Sequence, residues 1–200
     1  DVTAHVRLIG SIPQRIENLP CVVIVRGEAY IERAEFDAIN ERARDADLKT
    51  FANPRNLAAG SIKALDRGLL EGRSLNFFPY GVAYGPWTED SLHDRLKKLS
   101  GLGFTVNPHI EKRAGAESLI DYIDHVEHIR DTLPYDIDGV VVKVDSLERF
   151  RRLGATAKSP RGAVAYKYRA RQAETVLRQI VYQVGRTGRI TPVARVKPVG

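Results

Sequence analysis

The chain lacks methionine altogether, has one cysteine and one tryptophan, and contains no apolar run near the ~20 residues of a membrane span. Without methionine, Asp1 is no translation start, and the chain is expected to be an excised or incomplete piece of something longer. The lone Cys21 excludes an internal disulfide framework and fits a reducing compartment. Nothing near Asp1 has the basic-then-apolar pattern of a signal peptide. These absences point to a soluble, cytoplasmic protein. Glycine-rich phosphate loops and a His-Glu-x-x-His pattern are also missing. Of the five histidines, only His125 and His128 share a helical face, so a zinc site is not expected and both read as solvated.

What is there is enough for a folded domain. Hydrophobic residues make up 43% of the 200 and charged ones 28%, a balance that fills a core and is not of the disordered type. The length fits one domain, or one domain and the start of another. A formal charge of +6 favours polyanionic partners such as nucleic acid. The excess lies at the end: from Arg149 to Gly200 the only acid is Glu174, among many lysines and arginines. Such a stretch suits a phosphate-facing surface.

Along the chain, CVVIVRGEAYIE (21–32) alternates with period two. It predicts a strand with Cys21, Val23, Val25, Gly27, Ala29 and Ile31 inside and Arg26, Glu28 and Tyr30 outside. Phe36, Ile39, Ala43 and Ala46 recur at helical spacing over 33–46. Asn-Pro-Arg-Asn (53–56) reads as a turn opening a short helix. Pro79 implies an edge or bulge in a strand over 75–84. A helix is predicted over 88–104, capped by Thr88 and stopped by Gly101, and another over 116–133 with Leu119, Ile120, Ile123, Val126 and Ile129 inward. Beyond a short helix stopped by Gly154, a strand covers 162–170 and two more are joined through Gly185–Gly188. The one candidate domain boundary lies near Arg171, where helix–strand alternation gives way to β-type sequence.

YDIDGVVVKVD (135–145) poses a question of its own, because Lys143 ends an apolar β-forming run. The run reads as a buried strand, and burying an ammonium is costly unless it is paired or meets an anion. The lysine either discourages edge pairing or serves a site that needs a cation on a rigid scaffold. Asp138 and Lys143, five apart, would point to opposite faces of one regular strand. Asp138 is therefore expected in the turn before the ladder, where Asp-Gly is favoured. Glu28, Arg55, Lys143 and Lys167 all place charge beside apolar β-type neighbours, with Asp138 close to Lys143 in sequence. Two lysines and an arginine suit a phosphate; a carboxylate beside them suits sugar hydroxyls or a metal. That supports a nucleotide or polyphosphate site.

VRGEAYI (25–31), FANPRNLAAGSIKALD (51–66), YDIDGVVVKV (135–144), AVAYKYRA (163–170) and QVGRTGRITPVARVKPV (183–199) occur in the order seen in bacterial NAD-dependent DNA ligases, and the chain resembles their adenylation domain over nearly its whole length. DVTAHVRLIGSIP (1–13) resembles the stretch just after that family's nucleophile region. The resemblance implies an α+β fold: a nucleotidyltransferase domain of mainly antiparallel sheets with flanking helices (1–171), then the first strands of an OB-fold (172–200). It implies a lysine attacking the adenylyl phosphorus of NAD with Mg²⁺ assistance, AMP transfer to the 5′-phosphate of a nick, and displacement of AMP by the 3′-hydroxyl. Partners would be NAD and nicked duplex DNA, with no membrane and a monomeric enzyme. By motif match, Glu28 would bind the ribose, Lys143 would lie beside the adenine and Lys167 near the transferred phosphate. Asp138, with Glu28, would support the metal, and Arg55 would act near DNA or phosphate. Lys63, Arg186 and Thr187 would face DNA with it.

Three features depart from the family pattern. No Lys-x-Asp-Gly occurs, Lys-Val-Asp-Ser at 143–146 being the nearest approach, so the nucleophile is expected before Asp1 and the chain taken literally should not adenylate itself. Lys63 stands where arginine is usual, and Arg169 replaces a usual proline. A catalytically silent nucleic-acid-binding remnant is the alternative of a different class. An ATP-dependent ligase or RNA-capping relative lacks NPRNLAAGS and GRTGRITPVA, and a generic basic α+β domain explains none of the five motifs.

Overall fold

A computed structural model describes residues 1–17, 19–64, 72–169 and 173–199. It divides into two compact units, Asp1–Lys167 and Tyr168–Gly200. The boundary expected at Arg171 and the end of the strand at Ala170 lie outside the described residues. In chain order the elements are α1 (Thr3–Val6), β1 (Ile24–Tyr30), α2 (Arg33–Asp45), α3 (Pro54–Lys63), β2 (Asn76–Tyr84), α4 (Leu92–Gly101), α5 (Ala116–Ile129), β3 (Gly139–Lys143), α6 (Leu147–Leu153), β4 (Ala163–Lys167), β5 (Leu177–Val184) and β6 (Ile190–Val196). The strands pair as three antiparallel ribbons, β1–β2, β3–β4 and β5–β6. Helices and small antiparallel sheets together make the α+β class expected. Among the described residues no helix is long and apolar enough to cross a membrane.

The β1–β2 ribbon organises the first unit. Ile9, Ile31, Ile39, Leu57, Ala58 and Leu75 form one buried cluster that joins it to α2 and α3, with Phe36 and Phe77 packed alongside. Leu96, Leu99 and Phe104 form a second cluster that fastens α4 to Val25 and Val82 of the same ribbon. Each large side chain removed from water in this way stabilises by roughly 1.5–3 kcal/mol. Period two holds in β1 as expected: Val25, Gly27 and Ala29 turn inward, and Arg26 and Glu28 outward. Opposite them, Arg26 pairs with Gly81 and Gly27 with Pro79, leaving Tyr80 as the extra residue of a bulge. Proline at this position removes a ladder donor, and the bulge is where the strand absorbs it.

Several sequence expectations are corrected. Cys21 is exposed and precedes β1, because β2 ends at Tyr84 opposite Ile24 and the pairing reaches no further back than that residue. Tyr30 is half-buried, stacked on Phe78 at 4.4 Å and edge-on to Tyr135 at 5.2 Å. Ser91, not Thr88, caps α4, its hydroxyl accepting from the Asp94 N–H at 3.2 Å. Gly101 is the last residue of that helix; the chain turns at Gly103, whose φ of 93° suits a residue without Cβ. Ile120 is 55% exposed, and Tyr122 takes the inward place on α5. That helix ends at Ile129 rather than Leu133, and Arg33 collects the carbonyls of Arg130 and Asp131 beyond it at 3.1 and 2.8 Å. Val141 is 60% exposed, since one face of the two-stranded β3–β4 ribbon is open.

The second unit is a hairpin in which β5 and β6 pair from Leu177↔Val196 to Val184↔Ile190. Its turn is closed by Gly185 N–H donating to the Arg189 carbonyl at 2.8 Å and Gly188 N–H to that of Gly185 at 2.9 Å.

Candidate functional site

Four of the sequence-predicted charges meet in one chain of contacts. Glu28 projects from the outer face of β1, and Arg55 from the first turn of α3. Asp138 sits in the bend before β3, and Lys167 ends β4. Lys167 Nζ donates to Asp138 Oδ2 at 2.8 Å; Arg55 reaches Asp138 Oδ2 at 3.9 Å and Glu28 Oε1 at 3.7 Å. The hydrogen bond from Lys167 holds the Asp138 carboxyl below its usual range, with the charges on Lys167 and Arg55 helping and partial burial opposing. Each of the four side chains is at least 60% exposed. Exposed pairs of this kind contribute roughly 0–1 kcal/mol each, so stability does not account for the cluster.

Local structure explains the convergence. Asn53 accepts from the Asn56 N–H at 2.7 Å and Pro54 occupies the first helical position, so α3 starts sharply and Arg55 is fixed in its first turn. Asn40 holds the approach by exchanging two hydrogen bonds with the Phe51 backbone, at 2.7 and 3.2 Å. On the other side Arg33 anchors the approach to β3, donating from Nε to Asp136 at 2.6 Å and from its backbone to the Pro134 carbonyl at 2.7 Å. The ladder begins at Gly139, paired with Lys167. Asp138, one residue outside it, is free of strand parity and turns to Lys167, as the Asp-Gly turn predicted.

Lys143 is not in that cluster. It pairs with Ala163 at the far end of the ribbon, on the same face as Lys167 but four rungs away, roughly 13 Å at ~3.3 Å per residue. Its Nζ donates to the Tyr80 carbonyl at 2.9 Å and lies 4.5 Å from the centroid of that ring. The bulge makes this possible, because Tyr80 is unpaired in its ladder and its carbonyl is free to accept. Burial lowers the Lys143 pKa below the ordinary lysine value. Between the two lysines the face offers only Gly139, Val141, Ala163 and Ala165, a flat and mostly apolar floor. For the meeting of Tyr80 with Lys143 the sequence offers one clue, the bulge signal at Pro79. A cleft of about 830 Å³ opens beside Tyr80 and Lys143, lined also by Val140, Val142, Leu119 and Ile123.

Three expected site residues remain. Lys63 is the exposed last residue of α3. Arg186 and Thr187 form the exposed tip of the β5–β6 hairpin. Among the described residues no group of three or more His, Cys, Asp or Glu side chains converges, so Glu28 and Asp138 stand as a pair of carboxylates bridged by Arg55.

By class this is an α+β protein whose open ribbon face carries an ammonium at each end and exchangeable ion pairs at one of them, chemistry suited to a phosphorylated ligand. The family model for the NAD-dependent DNA ligase adenylation domain matches residues 1–171. The chain therefore belongs to that family. It is 48% identical over 205 residues to a DNA ligase of Caulobacter vibrioides, covering all of this chain and 26% of that protein. It is 46% identical over 201 residues to one of Alkalilimnicola ehrlichii (100% and 30%) and 45% over 203 residues to one of Magnetococcus marinus (100% and 26%). The chain spans less than a third of the length of these relatives.

Proposed function

We propose that the chain supplies the adenylate-binding part of an NAD-dependent DNA ligase, within a nucleotidyltransferase fold (1–171) followed by the first strands of an OB-fold (172–200). The observation that carries this reading is the placement of Lys143 and Lys167 on one ribbon face, roughly 13 Å apart, the span of a nucleoside monophosphate. The adenine lies on the floor beside Lys143 and Tyr80. The phosphate takes the place of Asp138 as partner of Lys167, and Glu28 accepts from ribose hydroxyls. Because the ion pairs are exposed, exchanging them for phosphate costs little. Charge that develops on the phosphate oxygens meets Lys167 and Arg55 already in place, which favours the transition state over the ground state.

Glu28 and Asp138 are hard oxygen donors, and Mg²⁺ is ordinarily held by one or two carboxylates together with substrate phosphates, so the pair fits the metal the family implies. Bound there, it would neutralise phosphate charge. Arg55, Lys63, Arg186 and Thr187 are the DNA-facing residues of this reading, with nicked duplex DNA as partner and NAD as adenylyl donor. The adenylated lysine is not among these 200 residues, since none stands in Lys-x-Asp-Gly. The basic β5–β6 hairpin favours a second reading, a catalytically silent module that binds nucleic acid alone.

The test combines intact-mass spectrometry after incubation with NAD and Mg²⁺ with sealing of a nick already carrying 5′-AMP. The expected result is no acid-labile AMP adduct, together with sealing that is lost in Lys167→Ala. An adduct on Lys143 or Lys167 would overturn the roles given. Binding of the nicked duplex in a gel-shift assay, with neither sealing nor AMP binding by calorimetry, would establish the silent module.

A further inference from the structure

Asp-Ser-Leu occurs twice, at 90–92 and 145–147, and both copies start helices. Each aspartate caps the other copy's helix. Asp145 lies just before the Ser146 cap of α6, yet its Oδ1 accepts from Ser91 Oγ and from the His93 N–H, both at 2.9 Å, and its carbonyl from the Leu92 N–H at 2.8 Å. Asp90 precedes α4, yet its Oδ2 accepts from Ser146 Oγ at 2.6 Å, its Oδ1 from the Glu148 N–H at 2.8 Å, and its carbonyl from the Leu147 N–H at 2.7 Å. Ser91 and Ser146 meet as an isolated antiparallel bridge between the two starts. Each serine hydroxyl also accepts from its own helix, from Asp94 and Arg149 respectively. Orphan N–H groups of two helices are thus satisfied by one reciprocal device.

Each serine serves one N–H of its own helix and the aspartate opposite takes two more, so capping accounts for the bonds themselves. The location gives the device its consequence. Asp145 follows Lys143 by two residues, and Val144 between them is held to the Gly162 carbonyl at 2.9 Å. Lys112 secures the far oxygen of Asp145 at 2.5 Å. Through Asp145 the exit of β3 is tied to α4; α4 packs on β2 through Leu96 and Leu99 against Val82; and β2 presents the Tyr80 carbonyl that receives Lys143 Nζ. The circuit closes on the lysine.

We propose that Asp145, with Asp90 completing the reciprocal cap, is a positioning residue that sets Lys143 against Tyr80 for the adenine of the bound nucleotide. The inference rests on the nucleotide reading of Lys143. Asp145 touches neither ligand nor reacting atom and acts through the backbone it holds; misplacement of a binding group by about 1 Å is enough to cost large factors.

The test is AMP titration of this chain by calorimetry, comparing the parent with Lys143→Ala, Asp145→Ala, Asp145→Asn and the double variant Asp145→Ala/Lys143→Ala. Asp145→Ala is expected to weaken AMP about tenfold, and Asp145→Asn, which keeps an acceptor for Ser91 and His93, to stay close to the parent. The double variant should bind no more weakly than Lys143→Ala, whereas a merely structural role would add its loss to that of the lysine. Unchanged affinity in Asp145→Ala, with Lys143→Ala impaired, overturns the positioning role alone. Unchanged affinity in Lys143→Ala overturns the nucleotide reading and the inference with it. Should Asp145→Ala fail to fold by circular dichroism, Ser91→Ala removes one bond to Asp145 together with the α4 cap on Asp94, and is expected to weaken AMP about fivefold; parent-like affinity there likewise overturns the proposal.

Discussion

Gly139 offers a stringent test of the ribbon on which the site is built. It pairs with Lys167, and a Cβ added to it would fall 2.1 Å from the Tyr166 carbonyl oxygen and 3.0 Å from the Lys167 Cα. Both obstacles are backbone, so no side-chain rotation relieves them. Carbon–oxygen contacts close at about 3.3 Å, so alanine at 139 must part the strands by roughly 1 Å. Overpacking of this kind costs about 1–3 kcal/mol and the opened rung about 1 kcal/mol more, a total of about 2–4 kcal/mol. For a chain of this size that lowers the melting temperature by about 5–15 °C. Thermal unfolding followed by circular dichroism measures it, with Gly60→Ala as control. Gly60 is exposed on α3 with nothing within 4 Å of an added Cβ, and the control should gain up to about 1 kcal/mol. The variant should also lose the Lys167–Asp138 contact and bind AMP weakly. A Gly139→Ala protein that melts with the parent, or with the control, refutes the register given for β3 and β4.

Three further outcomes follow from the same structure. Lys167→Ala removes the chief cause of the depressed Asp138 pKa while leaving Arg55 in reach, so carboxyl NMR should record a partial rise towards the ordinary aspartate value. The stability contributed by that depressed pKa is present above the unfolded value and lost as pH falls through the folded one, so Lys167→Ala should lose less stability on acidification, by less than about 1 kcal/mol for so exposed a pair. Burial, then the charge of Glu32, pushes Tyr30 up to about 12, so its neutral phenol stabilises the fold below the unfolded value near 10, and that contribution disappears as pH rises from there through 12; phenolate absorbance should show a late component that shrinks in Tyr30→Phe, the part that stays belonging to Tyr122 and Tyr135, which burial also raises. Leu99 is 0% exposed at the junction of α4 with the β1–β2 ribbon, so Leu99→Ala should lose about 2–5 kcal/mol in urea unfolding.

Local signals read well wherever the chain decides its own conformation. Alternation placed Glu28 on the outer face of β1, Asn-Pro started α3, and Asp-Gly put Asp138 in a bend outside the ladder. Signals that depend on a distant partner did not read. Cys21 continues an apolar pattern perfectly, but strand pairing stops at Ile24 where the partner strand ends. Lys143 was grouped with Lys167 from type and neighbourhood; only the register separates them to opposite ends of one face. The reciprocal cap joins segments more than fifty positions apart, so neither Asp-Ser-Leu announces which helix its aspartate serves.

The exposure of Cys21 offers an experimental convenience. It is the only thiol in the chain and lies on the surface just ahead of the strand that carries Glu28. A maleimide dye or nitroxide therefore attaches once per molecule, without any engineered cysteine and without disturbing the core. Emission or spin relaxation from that single reporter can then follow what binds along β1 in the unaltered protein.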